Sequence, residues 1–207
     1  MSKKIMVALF LFLMAFKIQA KIFIAPGINY VVGGRTEPSY THASFGKGTL
    51  KNKASGFVAN LKLGISTSGI AMGVAFARQY FKSENETCPG DSWVAVCSAA
   101  NYYEWKNYVG GFLGYRVYDS LSLALAYMVP YELKTSVGSE MLYLSLGFSI
   151  APVVRLVINY GMSTKSRWHD SNGTAHELPY TRTPGLSLDK AEVSGATSIG
   201  LEFPIGF

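Results

Sequence analysis

The residues best suited to nucleophilic catalysis lie in one short polar stretch of the chain. His169 and Ser171 are two positions apart, so alternation would place both side chains on one face of a strand, and Glu177 could be the acid that orients the histidine. That combination would suit acyl hydrolysis. The stretch opens a long loop that contains Gly and Pro, and a polar loop produces such a string easily. We therefore predict a non-enzymatic protein and keep hydrolysis as an alternative.

The two cysteines of the chain, Cys88 and Cys97, are separated by eight residues. In an exported protein such a pair predicts a disulfide that closes a loop. A metal site would need further ligands nearby, whereas the three histidines, His42, His169 and His176, lie far away in the sequence. We predict no metal site and no cofactor.

The first 20 residues have the organisation of a secretory signal peptide. Lys3 and Lys4 precede an apolar run of twelve residues, and the segment ends on the small residue Ala20. The run is too short to span a bilayer as a helix. We predict a signal peptide over residues 1–20 and one domain over residues 21–207. Cleavage would remove three lysines and no acid, lowering the formal net charge of +6 by three, so nucleic acid is not an expected partner.

The remaining chain alternates between apolar and polar residues, which is the pattern of β-strands. Eight strands are predicted, approximately at residues 21–34, 53–66, 69–82, 102–117, 120–132, 139–150, 153–165 and 193–207. Tight turns alternate with longer connections near residues 35–52, 83–101, 133–138 and 166–192. No stretch after Lys21 is long and apolar enough for a membrane helix, so a membrane-spanning form must be a closed barrel. The tight turns and both chain ends would then share one side of the membrane.

If the more apolar face contacts lipid, the other face of each strand points into the lumen. The polar residues on that face are Asn29, Asn60, Lys62, Arg116, Arg155, Asn159 and Glu202. An eight-stranded lumen is narrow and filled by side chains, and buried charges need partners. We predict an ionic cluster centred on Glu202, with Lys62 and Arg155 at similar depth and Arg116 nearer the rim. A stabilising role is favoured over a proton or ion pathway.

Aromatic residues are expected at both membrane interfaces. The outer set is Tyr80, Tyr102, Tyr103, Trp105 and Trp168, and the inner set is Tyr115, Tyr118, Phe203 and Phe207. Arg78 departs from the pattern because its parity places it on the lipid face of the third strand. It lies close to the outer rim, where a basic residue costs little and a lipopolysaccharide phosphate is available.

These features together resemble the small outer-membrane β-barrel proteins of Gram-negative bacteria, such as the OmpA transmembrane domain and the OmpX and OmpW types. The resemblance is one of architecture over the whole mature chain. It implies an all-β, eight-stranded antiparallel up-and-down barrel in the outer membrane, with short periplasmic turns and long extracellular loops. It also implies that the last strand is the signal read by the barrel-assembly machinery. The residues that match this signal in parity are Ile199, Leu201, Phe203, Ile205 and Phe207.

Three functions are compatible with this architecture. The leading hypothesis is a monomeric, non-enzymatic surface protein that contacts outer-membrane lipids and lipopolysaccharide and displays its loops for adhesion, envelope integrity or recognition of external ligands. Loop 35–52 carries Arg35, Lys47 and Lys51 against one acid, Glu37, which would suit an anionic surface.

The first alternative is a narrow, OmpW-like channel for small or apolar solutes. The second rests on the string from His169 to Asn172, His-x-Ser-Asn, which is similar to the signature of the lipid A deacylase PagL. That resemblance implies His169 as general base and Ser171 as nucleophile, with Glu177 as the candidate acid.

Overall fold

The structure of the protein is a computed structural model, which describes residues 20–99, 102–131, 136–190 and 193–205. The signal peptide predicted for residues 1–20 falls almost wholly outside these residues and stays a prediction.

Eight long antiparallel strands form the body of the protein. They are β1 (Lys21–Thr36), β4 (Lys51–Thr67), β5 (Ile70–Thr87), β6 (Tyr102–Tyr118), β7 (Leu121–Tyr131), β8 (Val137–Ala151), β9 (Val154–His169) and β13 (Val193–Glu202). Each strand pairs with the next one along the chain, and β13 pairs with both β9 and β1. The eight strands therefore close into a ring, which confirms the predicted eight-stranded up-and-down barrel.

The connections differ strongly between the two ends of the barrel. Two-residue turns at 68–69, 119–120 and 152–153 lie at one end, together with the start of β1 and the end of β13. We call this the turn end. The connections spanning residues 37–50, 88–101, 132–136 and 170–192 lie at the opposite end, which we call the loop end. The alternation of short and long connections follows the sequence prediction.

The last strand is shorter than predicted. The regular strand ends at Glu202, two residues before Pro204, which has no N–H group to donate to a ladder. The chain nevertheless stays bound to β1. The amide of Ile205 donates to the carbonyl of Ile24 at 2.8 Å, and the amide of Ile24 donates back at 3.0 Å. Phe207 lies outside the described residues.

The long connections contain elements that the sequence did not predict. They are β2 (Ser39–His42), β3 (Gly46–Thr49), a 3-10 turn (Asp91–Trp93), helix α1 (Val94–Ala99), β10 (Ala175–Glu177), β11 (Tyr180–Thr183) and β12 (Leu186–Lys190). Strand β12 pairs with β2, so the first and last loops build a four-stranded sheet in the order β11-β12-β2-β3. No helix in the described part of the chain is long and apolar enough to cross a membrane.

Side chains of the barrel alternate between the lumen and the exterior. Part of the lumen is filled by an apolar cluster that comprises Phe23, Ala25, Ala71, Ala75, Tyr108, Phe112, Ala126, Met128 and Met141. The rings of Phe23 on β1 and Phe112 on β6 meet edge to face at 5.5 Å, although their strands are separated by two others in the ring. Small alanines leave the space that these large side chains occupy. Packed side chains therefore span the lumen near the turn end.

Candidate functional site

Glu202 is held in the lumen by two basic side chains. Its Oε2 atom lies 2.5 Å from Nζ of Lys62, and its Oε1 atom lies 3.4 Å from Nη1 of Arg155. Arg155 is the direct partner of Glu202 on β9, whereas Lys62 extends from β4 past the intervening strand β1. The residue of β1 opposite Glu202 is Gly27, where an added Cβ would lie only 2.9 Å from the side chain of Asn60. Glu202 is only 5% exposed, so water screens its electrostatic attraction to Lys62 and Arg155 only weakly.

Arg116 lies in the same region. Together with Lys62, Arg155 and Glu202 it lines a cavity of about 30 Å³, whose apolar lining includes Phe23 and Phe112. This volume has room for a water molecule or two. The structure thus brings together the four charged residues that the sequence placed in one luminal cluster. Their stabilising role stays a prediction.

A second polar group lies on the wall formed by β1, β8, β9 and β13. The side-chain amide of Asn159 donates to Oδ1 of Asn29 at 3.2 Å and to Oγ of Ser198 at 3.3 Å. Its Oδ1 atom accepts a hydrogen bond from Ser145 at 2.6 Å. The lumen therefore has an apolar wall and a hydrogen-bonded polar wall.

The exterior of the barrel is apolar over its middle section. Ile28 is 54% exposed, Leu113 53% and Leu144 55%, and each lies on a strand whose neighbouring residues point into the lumen. A water-soluble eight-stranded barrel would turn such residues inward. At the turn end, Tyr115 and Tyr118 are also exposed on the outside, as in the aromatic girdle of a membrane barrel.

This is the architecture of an outer-membrane β-barrel. The closed ring, the apolar exterior and the short and long connections confirm the predicted fold class and location.

No family model matches the chain, and no curated protein matches it. Among solved structures, it is similar to Neisserial surface protein A (NspA), with 14% identity, a TM-score of 0.35, and coverage of 88% of this chain and 96% of that one.

Two further structures are also similar. The outer membrane protease OmpT from Escherichia coli has 11% identity and a TM-score of 0.34, with coverage of 92% of this chain and 99% of that one. OmpT, an outer membrane protein of Vibrio cholerae, has 13% identity and a TM-score of 0.31, and the match covers 89% of this chain but only 52% of that one. At these values the similarities carry no argument, and the assignment of the barrel rests on its own geometry.

The loop end carries a small folded unit, which we call the cap. It consists of the sheet β11-β12-β2-β3 and the segment Cys88–Ala99 with helix α1. Leu50, Trp93 and Cys97 are buried at its centre, and Tyr40, Cys88, Val96 and Leu186 pack against them. Cys88 and Cys97 form a disulfide with a Cα–Cα distance of 6.0 Å, which confirms the predicted bridge.

Trp93 is the central residue of the cap that sequence reasoning missed. Its ring packs directly on Gly48 of β3, where an added Cβ would lie only 2.8 Å from the ring. The sequence signal was present, since a tryptophan in a cysteine-bounded loop is unusual for a solvated connection. Beside it, the rings of His42 and Phe45 stack at 4.1 Å, and Phe45 stays exposed.

The lysines in and just after the first loop differ in their contacts. Lys53 forms an ion pair with Glu86 at 3.2 Å, whereas Lys47 and Lys51 are exposed to solvent. Within the cap sheet, the hydroxyl of Thr41 donates to Asp189 at 2.5 Å, a contact between the first and last loops. Lys47 on β3 and Lys51 at the start of β4 therefore present two exposed positive charges at one edge of the cap.

The residues of the hydrolase alternative are not joined by hydrogen bonds in the described part of the chain. His169 is buried at the end of β9, Ser171 is exposed in a turn, and Glu177 is 2.7 Å from Nζ of Lys165. Burial lowers the pKa of His169, and the hydrogen bond from Lys165 lowers the pKa of Glu177. The histidine that does contact an acid is His176, whose Nε2 lies 3.1 Å from Oδ2 of Asp170.

Trp168 lies near the loop-end terminus of β9, and its predicted place in the outer aromatic girdle stays a prediction. Its ring stacks on His176 at 4.5 Å and on Tyr180 at 4.4 Å, so it packs against the last loop. Among the described residues, no group of three or more His, Cys, Asp or Glu side chains is arranged to hold a metal ion.

Proposed function

We propose that the protein is a non-enzymatic, monomeric scaffold that presents the cap for recognition or adhesion at the cell surface. The observation that carries this proposal is the buried centre of the cap, where Leu50 and Trp93 are almost completely removed from solvent. Connecting loops usually run exposed over a protein surface. Here segments from three loops share one core and one disulfide, so the cap has a defined shape that a partner can recognise.

The packed lumen supports a scaffold over a channel. A conducting barrel needs a water-filled lumen, and an eight-stranded ring is just wide enough for side chains to fill. Phe23 and Phe112 meet across the lumen, and Met128 and Met141 are buried further along it. Planar-bilayer recordings should show no steady single-channel openings. Steady openings of uniform conductance would contradict the scaffold and favour the channel.

The hydrolase alternative has weak support from geometry. A Ser–His–acid site requires the acid to orient the histidine, and Glu177 is bound instead to Lys165 and Arg167. Lipid A from cells that express the wild type should match lipid A from cells that express Ser171→Ala. Loss of one acyl chain only with the wild type would show that the protein is an enzyme.

The chemistry of the cap favours an anionic partner, because Lys47 and Lys51 are exposed at one edge of it. The test compares retention of the purified barrel on dextran sulfate beads with retention on uncharged dextran beads. We expect selective retention on the sulfated beads, lost in Lys47→Gln/Lys51→Gln and reduced in Trp93→Ala. The matched control is Lys21→Gln, which removes a charge at the turn end and should be retained like the wild type. Equal retention of all four proteins would overturn the proposal.

We further propose that the last strand is the assembly signal. Ile199, Leu201, Phe203 and Ile205 are all exposed on the outside of the barrel, in the parity that such a signal requires. Deletion of Phe207 should lower the fraction of heat-modifiable, folded protein in the outer membrane. Phe45→Ala, which removes an exposed aromatic ring from the cap, should leave that fraction unchanged. Equal folded fractions for both variants would contradict the signal.

A further inference from the structure

Arg78 is a charged residue on the lipid-facing side of β5. Its neighbours Ala77 and Gln79 point into the lumen, whereas Val74 and Phe76 lie on its own face and are exposed. An arginine on this face is costly at the bilayer midplane and costs little at the interfaces. The depth of Arg78 and its contacts therefore decide how it is accommodated.

The contacts of Arg78 place it at the outer interface. It pairs with Asn107, and the next outward-facing pair towards the loop end is Tyr80 with Trp105. The guanidinium carbon of Arg78 lies over the Trp105 ring, 4.8 Å from its centre. The Tyr80 ring is 5.0 Å from Trp105 and 6.2 Å from Tyr103, so three aromatic rings form one group. Such rings mark the level of the lipid headgroups, towards which the long side chain of an arginine extends.

The charge of Arg78 has no acidic partner among the described residues. The other cation on this surface, Lys82, lies two outward-facing positions beyond Arg78 and is paired with Glu84. Because the charges of Lys82 and Glu84 cancel, the net charge of these three side chains is +1 and comes from Arg78. A guanidinium in a partly dehydrated interface gains most from a bidentate anion such as a phosphate.

We propose that Arg78 and Trp105 form a binding site for the phosphate of an outer-leaflet lipid headgroup. The guanidinium donates two hydrogen bonds to the phosphate, and the Trp105 ring covers one of its faces and fixes its orientation. The acyl chains of the same lipid then lie along the apolar surface of β5, where Val74 and Phe76 are exposed. This site is independent of the cap and of whatever the cap binds.

The experiment uses the folded barrel in an uncharged detergent and measures bound lipid by native mass spectrometry. The probes are lipid A with its phosphates and the same lipid A after dephosphorylation. For the wild type we expect about tenfold stronger retention of the phosphorylated lipid, which is the effect of one charge-assisted hydrogen bond or more. Equal retention of the two lipids would overturn the proposal, and this comparison needs no variant to fold.

Variants then locate the site. Arg78→Gln should lose the preference for the phosphorylated lipid, and Arg78→Lys should keep only part of it because an ammonium group cannot form the bidentate contact. Lys47→Gln removes one charge from the cap and should retain the full preference. A full preference in Arg78→Gln would place the phosphate elsewhere and overturn the assignment. Displacement of bound lipid A by inorganic phosphate alone would show a free-phosphate site rather than a lipid site.

Discussion

Lys62 and Glu202 meet across strand β1, with Nζ and Oε2 2.5 Å apart, although 140 residues separate them in the sequence. Arg155 contacts the other oxygen of the same carboxylate. One acidic side chain on the last strand therefore joins β4, β9 and β13, three of the four strands nearest the point where the barrel closes. A shift in the register of these strands would separate Glu202 from Lys62 and Arg155 and leave their charges unpaired in the lumen.

Glu202→Ala should destabilise the barrel strongly, because it leaves Lys62 and Arg155 as buried cations without their carboxylate. Loss of one member of a buried ion pair costs about 3–5 kcal/mol. Urea unfolding of the protein in lipid vesicles measures this change. The matched control is Glu84→Ala, which removes an exposed acid paired with Lys82 and should cost less than about 1 kcal/mol. Equal stability of the two variants would refute the cluster.

Trp93→Ala should unfold the cap and leave the barrel intact. The ring is 4% exposed and packs on Gly48, and truncation of a buried tryptophan costs about 3–5 kcal/mol. Amide hydrogen exchange should accelerate in β2 and β12 while the amides of β7 and β8 stay protected. Val94→Ala alters the exposed neighbour of Trp93 and should exchange like the wild type. Uniform protection in Trp93→Ala would mean that the cap does not depend on this ring.

Reduction of the bridge between Cys88 and Cys97 should loosen helix α1. A disulfide that closes a loop of this size contributes about 2–3 kcal/mol by restricting the unfolded loop. Limited proteolysis of Cys88→Ser/Cys97→Ser should give cleavage within residues 88–99, and wild type treated with a reductant should show the same cleavage. If oxidised wild type is cut equally fast, the bridge does not stabilise the cap.

The last loop should lose stability on acidification in two separate steps. Burial lowers the pKa of His169 below 6.5, so the unfolded loop binds more protons and stability falls as the pH drops through 6.5 towards the folded pKa. The hydrogen bond from His176 lowers the pKa of Asp170, so its stabilisation is complete above 3.8 and is lost below that value. Hydrogen exchange of the amides of residues 170–177 across this range measures both steps. His169→Gln should remove the upper step only; if the upper step persists, another group causes it.

The barrel was predictable from sequence because each strand carries its own signal. The run from Leu121 to Leu125 alternates strictly, so periodicity alone shows which of its residues share a face. The same parity turned Lys62, Arg155 and Glu202 inward, and closure of the ring then brought them together.

The cap was not predictable in this way. Its sheet joins Thr41 to Asp189 across 148 residues, and strands of three to five residues show no useful periodicity. Their pairing depends on how the barrel positions two distant loops. The large luminal rings of Phe23 and Phe112 posed a related difficulty, because parity gives the direction of a side chain but not the partner that it meets across the lumen.

The pairing of β12 with β2 has a mechanical consequence. Strand β2 follows β1 and strand β12 precedes β13, so this small sheet bridges the seam at which the first and last strands of the barrel meet. At the loop end, this sheet holds the segments next to β1 and β13 together. At the turn end, the hydrogen bonds between Ile24 and Ile205 hold the same two strands together. Lateral opening between β1 and β13 would require the ladder between them, the small sheet and the Ile24–Ile205 hydrogen bonds all to break. The folded cap therefore adds resistance to separation of the first and last strands.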